Sequence, residues 1–122
     1  AAQDGNKILD NLKRYIKKLG YDNVEVICHG ITEPAKTPVD TPYLLPVEKA
    51  TQNVFGPYMV YPNRPSTAPD YLWTNILELP TIQVLWCDAT SDNHAPNEHL
   101  TLSNYIKGTE LTATVLKEIS EM

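Results

Sequence analysis

The stretch Ile82-Gln83-Val84-Leu85-Trp86-Cys87 constrains the fold more than any other part of the sequence. Five of its six residues are apolar, and it runs from just after Pro80 to Asp88. It is too short for a helix of ordinary length and too apolar for a strand with one wet face. It therefore reads as a strand buried on both faces, which needs covering layers on either side. Two further segments carry strand patterns. Residues 24–29 place Val24, Val26 and Cys28 on one face and Glu25, Ile27 and His29 on the other, and residues 58–61 form a shorter run.

Helical patterns alternate with these runs. Ile8, Leu9, Leu12, Tyr15, Ile16 and Leu19 form one apolar stripe, Lys13, Arg14, Lys17 and Lys18 crowd its last turns, and Gly20 is the expected stop. Thr41-Pro42 reads as the cap and first residue of a second helix ending at Gly56, with Leu44, Val47, Thr51, Val54 and Phe55 inward and Pro46 at the edge of its first turn. A third helix is expected near 68–77, with Thr67 and Asp70 resembling a capping box. The last starts at Thr101 or Ser103, with Ile106, Thr109, Ala113, Leu116 and Ile119 inward. Its Gly108 is expected to mark close packing against a neighbour. The expected fold class is α/β, a layered α-β-α-β-α-β-α order around a narrow three-stranded sheet.

At 122 residues the chain has the length of one domain, and 42% hydrophobic residues suffice for a core. A net charge of −5 without a basic block disfavours nucleic acid as a partner. No apolar run approaches the roughly 20 residues that span a bilayer, so no membrane partner is expected. Cys28 and Cys87 read as two buried thiols in a reducing, cytoplasmic setting. No secretory signal pattern is visible. The start Ala1-Ala2-Gln3 reads as that of a trimmed or excised piece, or as a cloning remnant.

The chemistry concentrates in the loop after the apolar run. Asp88, Asp92, His94, Glu98 and His99 are all potential metal ligands, and the loop leaves the carboxyl end of a strand, where open sheets bind their ligands. Imidazole and carboxylate suit zinc, manganese or cobalt. The spacing does not supply three ligands by any compact motif, and His29 stands alone. Ser66 lies outside any nucleophile-elbow pattern, and Cys87 ends an apolar run that reads as inert.

His94-Ala95-Pro96-Asn97-Glu98 resembles the H-A-P-N-E motif of the dinuclear zinc aminoacylase and dipeptidase family, which includes acetylornithine deacetylase, succinyl-diaminopimelate desuccinylase, glutamate carboxypeptidases and cytosolic dipeptidases. Residues 37–42 (TPVDTP) resemble that family's return segment T-P-V-D-S-P. Tyr61-Pro62 through Pro69, Tyr71 and Leu72 resemble its substrate loop, and residues 104–110 (NYIKGTE) its terminal helix. The resemblance implies a C-terminal fragment of a metallohydrolase that cleaves a peptide or amide bond near a free carboxylate. On that basis residues 1–30 would be a helix and strand of the lid, or dimerisation, domain, 31–42 a hinge, and 43–122 the C-terminal part of the catalytic domain.

The resemblance implies a zinc pair, with cobalt or manganese as alternatives, and places one metal ligand at His94. Glu98 would orient His94, Asp92 would add charge beside the metal, and Pro65, Ser66 and Thr67 would form the substrate loop. Pro65 and Ser66 stand where the family has two glycines. The remaining ligands and the general base lie upstream in the family, so the chain alone would be inactive. Two alternatives stand beside this reading: a non-catalytic α/β interaction or dimerisation module derived from the family, and a lone metal-binding domain using His94, His99 and Asp92. Unpaired strand edges and uncovered apolar faces in such a piece imply a homo-oligomer.

Overall fold

The computed structural model describes residues 3–64, 66 and 68–122. It contains three α-helices, α1 (Gly5–Lys18), α2 (Leu44–Phe55) and α3 (Leu102–Ser120), and one π-helical turn, Leu72–Ile76. Two units divide the chain, each made of two segments. The first unit comprises Ala1–Pro38 and Arg64–Thr81, and the second Val39–Asn63 and Ile82–Met122.

The helix ends follow local capping chemistry. Asp4 caps α1, its Oδ1 accepting from the Lys7 amide at 3.1 Å. Lys17 and Lys18 occupy the last turn. Gly20, at φ 79°, closes the helix: its amide donates to the Lys17 carbonyl and the Tyr21 amide to that of Ile16, the paired bonds of a Schellman motif. Leu44 begins α2 two residues later than the Thr41-Pro42 signal suggests. Tyr43 precedes it without a side-chain cap, and the Leu44 amide donates to the Thr41 carbonyl. Pro46 falls in the first turn, where its missing N–H deprives the helix of nothing. Thr101 caps α3, its hydroxyl accepting from the Asn104 amide.

The α/β expectation is overturned, because no strand occurs among the described residues. Residues 24–29 are exposed apart from half-buried Val26. Residues 58–61 are exposed throughout. The 82–87 run is covered on one side only. Ile82, Val84 and Trp86 are half-buried, whereas Gln83, Leu85 and Cys87 are exposed. Alternating polarity favours an extended backbone, but a strand exists only when a neighbouring backbone supplies the ladder. No such neighbour is present among the described residues. The lid strand and catalytic sheet implied by the zinc-hydrolase resemblance are therefore missing as well. In the third expected helix, only the π turn and its approach from Asp70 are helical.

In the first unit no described residue is buried. Long-range hydrogen bonds tie its segments together: the Glu33 carboxylate accepts from the Gly5 amide at the start of α1, and the Thr37 hydroxyl accepts from the Thr81 amide at 2.8 Å. The second unit holds the core, where α2 packs on α3. Val47, Ala50 and Leu111 are its buried hydrophobic residues. At the margin of that seam Lys49 pairs with Glu118 at 2.6 Å, and Lys107 lies over the Phe55 ring, 5.5 Å from its centroid. The Glu118 carboxylate holds the Lys49 ammonium above the ordinary lysine range, first by its hydrogen bond and then by its charge.

Gly108 is buried on α3 and faces Trp86. A Cβ at this position would lie 2.6 Å from an indole carbon, so the close packing expected of this glycine is present. The face of α3 turned inward is nevertheless not the expected one. Asn104, Gly108, Leu111, Val115, Glu118 and Ile119 are covered, whereas Leu102, Tyr105, Ile106, Thr109, Ala113 and Leu116 are exposed. Of the predicted inner residues only Ile119 lies on the covered side. Both faces are apolar enough to satisfy a 3.6-residue period, and periodicity alone does not choose between them.

Candidate functional site

The histidine-bearing loop is built from three turns. The Ser91 amide donates to the Asp88 carbonyl at 3.2 Å, Ala95 to Asp92 at 2.8 Å, and Glu98 to Ala95 at 3.3 Å. Asp92, His94 and Asn97 adopt positive φ of 53°, 62° and 67°. Ser91 is buried, and its carbonyl accepts from the His99 amide at 2.9 Å, closing the loop. Asp88 anchors it to α3: one carboxylate oxygen accepts from the Thr101 amide at 3.0 Å, the other from the Asn104 side chain at 2.6 Å. An acidic group there also suits the positive end of the helix dipole. Asp88 thus acts as a helix anchor rather than as a free ligand.

His94, Asp92 and Glu98 are all exposed. Of the histidines in the loop it is His99 that makes contacts, with Nδ1 3.0 Å from the Asn97 carbonyl and 3.9 Å from Asp92 Oδ2. Among the described residues, no group of three or more His, Cys, Asp or Glu side chains is placed to hold a metal ion. The expected zinc centre, with cobalt or manganese in its place, is therefore corrected, and with it the hydrolase, metallopeptidase, dipeptidase and deacylase readings. Five ligand-type residues are close in sequence, but metal binding needs three or four donors converging on one point. In the substrate-loop reading, Ser66 is an exposed residue of the first unit, and Pro65 and Thr67 lie outside the described residues. The thiols of Cys28 and Cys87 are free and exposed, not buried as expected.

The backbone of His94 gives a prediction. A left-handed conformation costs a residue with a Cβ about 1–2 kcal/mol, and glycine avoids that cost while losing some unfolded-state entropy. His94→Gly should therefore raise stability by about 0.5 kcal/mol in urea unfolding. A loss of stability would show that the imidazole has a structural role.

The helix surfaces offer a different kind of site. On α1, Ile8, Leu12 and Tyr15 lie on one exposed face, continued by the exposed C-cap Leu19. On α3, Leu102 (73% exposed), Tyr105, Ile106 and Leu116 (67%) form a second stripe, opposite the side that packs on α2. Sequence reasoning missed this second stripe by assigning it to the interior. The signal was present: α3 carries two apolar faces, the other being Leu111, Val115 and Ile119, and one neighbouring helix covers only one of them. No described helix is long and apolar enough to cross a membrane. No family model, curated protein or solved structure matches the chain, so the resemblance drawn from four short motifs has no further support.

Proposed function

We propose that this chain is a self-associating interaction module whose exposed helix faces are completed by further copies of itself. The observation that carries this reading is the second apolar stripe of α3. A helix that is apolar on opposite sides is stable when both sides are covered, and α3 has one side covered. The exposed apolar face of α1, in a unit without a buried described residue, supports the same reading. The net charge of −5 keeps nucleic acid out of it. A cytoplasmic setting accords with the two free, exposed thiols, which a reducing compartment keeps from cross-linking the copies.

Light scattering on the 122-residue chain over a wide dilution series tests the proposal. The expected mass at the concentrated end is a multiple of 13.7 kDa that falls on dilution or holds constant. A mass of 13.7 kDa at every concentration would overturn it.

A further inference from the structure

The exposed stripe of α3 carries its own register information. Successive residues of an α-helix are turned by about 100°, so residues seven apart share an edge and lie about 10.5 Å apart along the axis. Glu110 and Lys117 are such a pair. Both are exposed, and on a helical wheel both flank the same side of the stripe formed by Ile106, Thr109, Ala113 and Leu116. The Lys117 ammonium lies 4.0 Å from Glu121 within the same helix, at the outer limit of an ion pair.

Two copies of α3 can meet through this stripe in few ways. In a parallel pair, the charged edge lies beside the partner's opposite edge, formed by Tyr105 and Thr112, and neither charge finds a counterpart. An antiparallel pair related by a twofold axis brings identical edges together. Centred on Thr109, it sets the two copies of Glu110 about 3 Å apart along the axis, which is repulsive. Centred between Ala113 and Thr114, it sets each Lys117 level with the other copy's Glu110. Ala113 then lies at the axis, where its small side chain permits close approach, and Leu116 fits over the gap between the partner's Thr109 and Ala113.

We infer that α3 is a homodimer interface whose occupant is the α3 stripe of a second copy, antiparallel and centred between Ala113 and Thr114. Reciprocal Lys117–Glu110 ion pairs select this register. The inference rests on the self-association proposed above and specifies its surface. Complementary charge sets orientation and register more than affinity, so reversing one partner should weaken the pairing by creating like-charge contacts.

Sedimentation velocity of the whole chain tests it with four proteins: the unaltered chain, Lys117→Glu, Glu110→Lys, and the double exchange. Both altered residues are exposed, and far-UV circular dichroism checks that each variant keeps its helix content. The expected result is dimerisation weakened roughly tenfold or more in each single variant and restored in the double exchange. An unaltered chain that associates while the single variants associate equally well overturns this interface and leaves self-association standing. Weakening without restoration in the double exchange overturns the register. An unaltered chain that stays monomeric overturns the interface and the proposed function together.

Discussion

Leu111→Ala is expected to lower the stability of the second unit by about 3 kcal/mol. Leu111 is 2% exposed on α3, which packs on α2, where Val47 and Ala50 are the other buried hydrophobic residues. Truncating a buried leucine removes its transfer free energy and leaves a cavity that neighbours fill only in part, giving losses of about 2–5 kcal/mol. A domain of this length has about 5–15 kcal/mol in total. The substitution should therefore move the urea or thermal midpoint far downward and broaden the population of open states. Leu111→Met keeps the volume and should cost less than about 1.5 kcal/mol. If both variants unfold with the midpoint of the unaltered chain, the α2–α3 seam is not the core.

Gly108→Val should cost about 2 kcal/mol. Replacing a mid-helix glycine ordinarily helps, because glycine costs about 1 kcal/mol relative to alanine. Here the gain is opposed by Trp86. The added Cβ would lie within 2.6 to 2.8 Å of three indole atoms, and valine adds two methyl groups beyond it. A rigid ring cannot yield as the end of a flexible chain does, so Trp86 or the helix must shift. The measurement is equilibrium unfolding followed by Trp86 emission, with Trp73→Phe in the background to remove the other tryptophan. Destabilisation with a red-shifted native spectrum is the expected outcome. Unchanged or increased stability would mean that the indole does not rest on Gly108.

The helices were legible in the sequence because their determinants are local. The stripe from Ile8 to Leu19 with Gly20 behind it, and Thr101 ahead of Leu102, fix their own segments by periodicity and capping. The strands were not, because a strand is a relation between segments. The 82–87 run has the composition of a buried strand, yet its burial alternates along one covered side, and nothing in the run identifies a pairing partner. The inner face of α3 was misread for a related reason: Ile106 and Leu116 satisfy the helical period as well as Leu111 does, and the choice between them lies with α2 and Trp86. In the histidine loop the expected metal ligand at His94 rests on motif resemblance, and five ligand-type residues close in sequence do not converge on one point in space. Asp88 was the most informative residue there, and its partners Thr101 and Asn104 lie 13 and 16 residues away.

The segment from Trp86 to Asp88 has a consequence for how the second unit opens. It touches α3 at two heights, through the indole on Gly108 and through the carboxylate on Thr101 and Asn104. Detaching either end exposes the first two turns of the helix, so the loop and those turns form one cooperative block. In native-state hydrogen exchange the amides of His99 and Thr101 should then share a single opening free energy, lower than that of the amides around Leu111. The slowest-exchanging hydrogens of the chain would lie along the middle of α3, and the 88–101 loop would exchange as a door hinged on it.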